Sequence, residues 1–509
     1  MSTTNTAKRR SARRKAARIV AAVVTSMLLI AAFAALAVVR MPAWLVDGAS
    51  GALGSSHRIV QERLEAYCPA GMQLPDSTDW GDSGYRVSDG DITTATALAA
   101  FGSVYASTST PLDLSADAKS VALKAPDKPV SRDAMVLRDE GGYSRLLSTN
   151  LLEAGDGSGH TGTVVSHASE GDLRGISAAT CVTPAMSQSF MLTSTATGTS
   201  QQLVLANPSS KSTGVSITVV GSKQTGRMGL STAGKATVAA GSETVVDLSA
   251  AASGQDGVRV TVTSDAVPVA AVVRTTAGSG LTPKGADFAM PAGEAAETNA
   301  IPGVAEGDKV TLYLYGEHDG DAELSWATAD GAKAIRKTRV GADKVSVLDL
   351  GKAPAGANGI IVSGEGAAFV ASAKAVRSGA DGQEDFALLS AVTPSASSAV
   401  ALTDGVDATL VFVNASDDEA TVKLTFMDDT GKAGDERDVT VKAHGTAMVK
   451  GEGSAALVSD DSEAVSWATR VSGGGLDPDK TAGLSVVAPG ALAVREELVR
   501  AVPDASIVG

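Results

Sequence analysis

Three segments of this chain begin alike at intervals of about 100 residues, and a repeat of that length constrains the fold more than any other feature. The openings are Leu203-Val-Leu-Ala-Asn207, Leu312-Tyr-Leu-Tyr-Gly316 and Leu410-Val-Phe-Val-Asn414. Each is an apolar run that ends on a turn residue. A second, alternating run follows each: Val215-Ser-Ile-Thr-Val219, Glu323-Leu-Ser-Trp326 and Thr421-Val-Lys-Leu-Thr-Phe426. Further on, a closing run ends in Arg274, Arg377 or Arg470. Alternation with a period of two, broken by Gly, Asp and Ser, is the pattern of short antiparallel strands.

A tail recurs as well. Asp287-Phe-Ala-Met-Pro291, Asp385-Phe-Ala-Leu and Leu484-Ser-Val-Val-Ala-Pro489 each finish a copy. Ser177-Ala-Ala-Thr-Cys-Val-Thr-Pro184 has the same form, so a diverged copy precedes it, with Ala134–Arg138 and Thr163–His167 as strands. The fold class expected is all-β: tandem antiparallel β-sandwiches of immunoglobulin or fibronectin size. The copies are assigned to residues 91–184, 185–295, 296–396 and 397–490, with a juxtamembrane segment over 40–90 and a C-terminal tail over 491–509. Two short helices are expected, at His57–Ala66 and over Val494–Arg500. Joins near 291–303 and 394–398 read as linkers, and repeats in tandem suggest an extended rod.

Ahead of the repeats lies Ile19–Val39, a run without a charged residue. About 20 apolar residues at ~1.5 Å rise cross a ~30 Å hydrocarbon core. Residues 1–18 hold Lys8, Arg9, Arg10, Arg13, Arg14, Lys15 and Arg18 and no acid, which keeps that end cytoplasmic. The run is longer than the apolar part of a signal peptide, and Arg40 follows it directly, so an anchor is favoured over a cleaved leader. The expectation is a single-pass membrane protein with its C-terminal part outside, its lipid partner the bilayer around 19–39. Of 43 Lys and Arg, seven lie in that tail, leaving 36 against 57 acidic residues. So acidic a remainder repels polyphosphates, which argues against nucleic acid as a partner.

Cys68 and Cys181 are the only cysteines, and both fall on the exported side. One disulfide between them is the natural reading, since no CxxC supports redox or zinc chemistry. Other candidates for chemistry fail on spacing. Gly229-Leu-Ser-Thr-Ala-Gly-Lys-Ala236 has Ala236 where a phosphate loop needs Ser or Thr. Gly451–Ala456 precedes a strand-like run rather than a helix. His57, His160, His167, His318 and His444 form no metal spacing and read as solvated. The acidic turns around Glu317, Asp319, Asp321 and Glu323, and at Asp417, Asp418 and Glu419, could offer oxygen ligands to calcium, but a solvated hairpin tip is favoured. Trp326 and Trp467 sit in alternating runs and read as core rather than as a sugar platform. No catalytic residue, metal site or cofactor is assigned, and the binding residues stay unknown.

Leu173-Arg-Gly-Ile-Ser-Ala-Ala-Thr-Cys181, followed by Leu203-Val-Leu-Ala-Asn-Pro208, resembles an uncharacterised family of actinobacterial secreted or membrane-anchored proteins, a domain of unknown function. The likeness takes in roughly 45–490, including Cys68-Pro69. Gly316 and Asn414-Ala415 replace the Asn-Pro turn in the last two copies, which are therefore expected to be weaker repeats. The resemblance implies an extracytoplasmic, envelope-associated protein and brings no catalytic residues. The function expected is non-catalytic: structural, scaffolding or binding an envelope protein. The alternative is a module that binds carbohydrate or cell-wall polymer beside envelope synthesis.

Overall fold

A strand that is apolar at every position needs cover on both faces, and the opening runs have it. Leu203–Asn207, Leu312–Gly316 and Leu410–Asn414 are buried at each residue. The computed structural model describes residues 55–75, 88–112, 119–127, 129–231, 234–477, 479–493 and 496–501, with Val24 and Met27. The expected anchor over 19–39 and basic tail over 1–18 lie outside the described residues. Among the described residues no helix is long and apolar enough to cross a membrane.

The described chain is all-β and falls into two units. The smaller is an antiparallel ribbon of β1 (Ser55–Val60) and β35 (Glu496–Ala501). Both expected helices are corrected here. His57 pairs with Val499 and Val60 with Glu496. The part of His57–Ala66 beyond the ribbon becomes another strand. Segments this short nucleate poorly as helices, and a partner strand satisfies their backbone at once.

The larger unit, residues 61–495, holds four sandwiches of one topology. Sandwich 1 comprises β2 (Arg63–Cys68), β3 (Thr93–Phe101), β4 (Ser103–Pro111), β5 (Val121–Ala122), β6 (Ala134–Asp139), β7 (Arg145–Glu153), β8 (Gly159–Ala168) and β9 (Gly175–Thr180). Its sheets run β2-β7-β4-β5 and β6-β3-β8-β9. Sandwich 2 comprises β10 (Ser187–Leu192), β11 (Thr199–Asn207), β12 (Thr213–Gly221), β13 (Lys235–Val238), β14 (Ser242–Asp247), β15 (Val258–Ser264), β16 (Ala270–Ser279) and β17 (Thr282–Ala289). Sandwich 3 comprises β18 (Thr298–Pro302), β19 (Lys309–Gly316), β20 (Gly320–Thr328), β21 (Gly331–Val340), β22 (Lys344–Lys352), β23 (Ala357–Gly364), β24 (Val370–Ser378) and β25 (Glu384–Ser390). Sandwich 4 comprises β26 (Ser397–Ala401), β27 (Asp407–Asn414), β28 (Ala420–Met427), β29 (Arg437–Val441), β30 (Thr446–Lys450), β31 (Ala455–Ser459), β32 (Val465–Ser472) and β33 (Ser485–Val487). The sheet order of sandwich 1 recurs in each: β10-β15-β12-β13 with β14-β11-β16-β17, and so on. Sandwich 1 thus begins with Arg63–Cys68, inside the expected juxtamembrane segment. The expected tail contributes too, since Gly490–Ala491 (β34) adds to β26.

The four copies form a closed ring rather than the expected rod. In each, the sheet holding the opening strand turns its outer face onto the previous sandwich. Val204, Ala206, Ala270 and Val272 of sandwich 2 pack on Tyr67 and Val182. Tyr313, Tyr315 and Val370 of sandwich 3 meet Met191. Val413 of sandwich 4 meets Ala300, Ala327 and Ile361. Ala97, Ala99 and Phe101 of sandwich 1 return to Ala399, Ala401 and Met427 of sandwich 4. A head-to-tail interface repeated with the right rotation closes on itself, and here one chain supplies all four interfaces. The last strands β9, β17, β25 and β33 consequently meet around a common axis.

Candidate functional site

Four edge strands converging on an axis bring unpaired backbone N–H groups into a space without water, where each needs an acceptor. Three side chains supply them. Asp287, on β17, accepts from the N–H of Ala178 at 3.1 Å, the N–H of Leu388 at 2.8 Å and the hydroxyl of Ser485 at 2.8 Å. Its partners lie in sandwiches 1, 3 and 4, so one carboxylate ties the whole ring. Asp385, on β25, accepts from the N–H groups of Ile176 and Leu484, each at 2.8 Å. Gln383 takes the N–H of Ala482 at 2.8 Å and donates to the carbonyls of Ala482 and Arg174.

Both aspartates are fully buried. Burial pushes the Asp287 carboxyl up to about 7 against the pull of its donors. Burial raises Asp385 as well, and the charge of Asp287 adds to it. Oδ1 of Asp385 has no hydrogen-bond partner, so nothing offsets the burial of that oxygen. The acids weighed from the sequence were those of the two acidic turns, and these two were missed. The signal was an Asp that opens the apolar tail in two copies.

The tails are not in register, however. Leu203, Leu312 and Leu410 face Val273, Ala373 and Thr469 on the closing strands. The next residues, Arg274, Lys374 and Arg470, therefore share one repeat position, and Arg377 lies three further on. Asp287 pairs with Thr275, whereas Asp385 pairs with Arg377. The recurring arginine thus occupies two different repeat positions. Arg377 and Arg470 both grip the buried carboxylate of Asp308, at 2.8 and 2.9 Å, and Arg470 comes from the neighbouring sandwich.

The other sequence candidates resolve as structure. Cys68 and Cys181 are bonded, with Cα atoms 4.1 Å apart. Trp326 and Trp467 are core residues, 5 % and 2 % exposed. Lys235 opens β13, so the phosphate-loop look-alike connects two strands. Gly451–Ala456 spans the turn from β30 into β31. His160 and His167 lie seven apart on β8, on opposite faces. His160 is half-buried rather than solvated. It bonds Thr149 Oγ1 at 2.9 Å, and burial lowers its pKa to about 4. In the acidic turns Asp319 accepts from the N–H of Ala342, Glu323 pairs with Lys337, and Asp417 pairs with His444. Among the described residues no three His, Cys, Asp or Glu side chains converge as a metal ion would need.

The Asn turn requires a correction. Asn207 accepts from the N–H and hydroxyl of Ser209 and donates to the carbonyls of Lys211 and Val238. Asn414 makes the same four bonds, with Ser416, Asp418 and Val441. Ala415 in place of Pro208 costs none of them, so the fourth copy is no weaker at this turn.

The fold and its axial column define an all-β protein in which four tandem sandwiches close into a ring sealed by buried carboxylates. The chain belongs to the DUF5719 family, a family of unknown function that matches residues 136–452, more than half of its length. That span runs from the middle of sandwich 1 into sandwich 4. No curated protein matches the chain, and no solved structure matches it.

Proposed function

We propose that the protein is a non-catalytic, extracytoplasmic platform held to the membrane by residues 19–39, on which an envelope partner docks. The observation that carries this reading is the Cys68–Cys181 bond. A disulfide of this kind persists in an oxidising compartment and is rare in a reducing cytosol. The uncharged run behind seven basic side chains agrees with it. The ring supplies a rigid body, because each sandwich is gripped by two others and by the axis.

The reading as a non-enzyme is supported by where the perturbed groups lie. Displaced pKa values often mark catalytic residues, yet Asp287 and Asp385 are fully buried and each accepts from two backbone N–H groups of other sandwiches. The polysaccharide alternative loses its two candidate platforms, since Trp326 and Trp467 are in cores, and a protein partner is therefore preferred.

Cell fractionation with N-terminal sequencing, and thiol alkylation without reductant, test the reading. An intact chain in the membrane fraction with both cysteines unreactive is expected. A soluble product beginning near residue 35–50, or two alkylated thiols, would overturn it. So would turnover of esterase, peptidase or glycosidase substrates that survives repurification and is lost on substituting one His or acid.

A further inference from the structure

Sandwiches 2, 3 and 4 each cover the outer edge of their third strand. The strands β13, β21 and β29 lie along β12, β20 and β28. These covering strands are themselves edges, and they carry charge: Lys235 in β13, Lys333, Arg336, Lys337 and Arg339 in β21, Arg437 and Asp438 in β29. Charge of this kind keeps an exposed edge from pairing with foreign strands.

Sandwich 1 departs from this plan. Only Thr108 and Ser109 of β4 are paired by β5, and Leu123 adds one bond to the carbonyl of Ser107. The chain then turns away to bridge Lys124 with Val136 and runs through Pro126 and Pro129, which have no N–H to give. Among the described residues no strand flanks Ser103–Ala106 on that side. The stretch Ser103-Val-Tyr-Ala106 holds no charge. A bulge removes Tyr105 from the register with β7 and leaves it 72 % exposed, and Leu152 of β7 is 71 % exposed. A bulge can blunt an edge, but it also re-aims a side chain, and here it presents an aromatic ring. Beside it lies a groove of about 460 Å³, with Val104, Pro126, Pro129 and Leu152 as apolar lining. Asp133, Glu153 and Asp156 line it too, and among the described residues no Lys, Arg or His does.

We propose that this open edge of β4 is a docking site for an extended segment of a partner protein, added as a strand, with apolar side chains alternating with lysine or arginine. Free backbone groups supply affinity in such strand addition, and the groove and its carboxylates select the side chains. A second copy of this chain would bring the same carboxylates against one another, and so fits less well. The proposal deepens the platform reading by naming the docking edge. It is measured on purified protein, so its failure would leave the fractionation test untouched.

The purified full-length protein is mixed with a ten-residue peptide of alternating valine and lysine, and amide hydrogen exchange is followed. Control peptides carry glutamate for every lysine, or proline for every valine. The Val104 N–H already bonds the Gly102 carbonyl and β7 takes one side of the strand, so the expected result is fast exchange in the free protein at the remaining amides of Ser103–Ser107, which face away from β7, and at least tenfold slowing there with the valine–lysine peptide alone. Tyr105→Ala and the pair Glu153→Gln with Asp156→Asn, all at exposed or groove-lining positions, should each weaken binding at least tenfold. Exchange in the free protein already as slow as at Thr108–Ser109 would overturn the proposal. Equal slowing by the proline peptide would do the same, as would protection that follows self-association in sedimentation.

Discussion

The carboxylate of Asp287 and the hydroxyl of Ser485 stand 198 residues apart in sequence and 2.8 Å apart at the axis of the ring. Asp287 also holds N–H groups from sandwiches 1 and 3. Removing it leaves those donors buried without an acceptor, a penalty of about 1–3 kcal/mol for each group. Asp287→Ala is expected to lower stability by about 3–5 kcal/mol and Ser485→Ala by about 1 kcal/mol, read from urea unfolding. Near-equal costs for the two would disprove the central role of the carboxylate.

The same residue sets a pH dependence. Its folded pKa, about 7, lies above the unfolded value of about 3.9. Between them the folded state binds the extra proton, so this contribution to stability falls as pH rises from about 4 to about 7 and is level above. Asp385, raised by burial, acts in the same sense. His160 opposes them. Its folded pKa of about 4 lies below the unfolded 6.5, so its contribution is lost as pH falls below about 6.5. Asp287→Asn lacks the stability that the native protein gains from this carboxyl toward acid, so its urea midpoint should fall further below the native one at pH 4.5 than at pH 7, whatever its overall stability. Parallel pH profiles for the two would refute the assignment.

The sandwiches were legible because their signals are local. A period of two, turn residues and recurring openings each occupy a few neighbouring residues. The ring was legible only in part. Leu203-Val-Leu-Ala206 is apolar at every position, which a strand with one wet face does not need, whereas β12 alternates between buried and half-buried residues along its length. That contrast already implied a second covered face, but not which surface covers it, since the partner of Val204 is Tyr67 from far upstream. The axial aspartates were hidden for the same reason. An Asp next to Phe288 reads as a strand end until four strands are brought together. The β4 edge was illegible because its meaning lies in the lack of a neighbour strand along Ser103–Ala106 among the described residues.

Asn207 and Asn414 offer an internal control, since each side chain makes the same four bonds in a different sandwich. Replacing either with alanine frees two carbonyls and a turn N–H. Asn207→Ala and Asn414→Ala are each expected to cost about 2–4 kcal/mol, and to agree within about 1 kcal/mol. A much smaller effect at Asn414 would restore the view of the fourth copy as a weak repeat.

Cys68 and Cys181 close sandwich 1, joining its first strand to the residue just past its last, at a sequence separation of 113. The bond constrains the unfolded chain, and for a loop of that length the chain-entropy account gives about 4–5 kcal/mol. The site around it is also filled. A Cβ at Gly162 would run into Cys181 Sγ and would lie 2.6 Å from Leu98 Cδ2, so this position tolerates no side chain while the bond is in place. Two effects follow that can be separated. Cys68→Ala with Cys181→Ala removes the bond and both Sγ atoms. It should lower the unfolding free energy by up to about 4–5 kcal/mol, most of which a reductant should reproduce in the native protein. Gly162→Ala should destabilise the disulfide-bonded protein by about 1–3 kcal/mol through overpacking, and less in the Cys68→Ala, Cys181→Ala background, where the obstructing sulfur is gone. Thermal melts of the four proteins, with and without reductant, measure both terms. If Gly162→Ala costs the same in either background, the crowding comes from Leu98 and not from the disulfide.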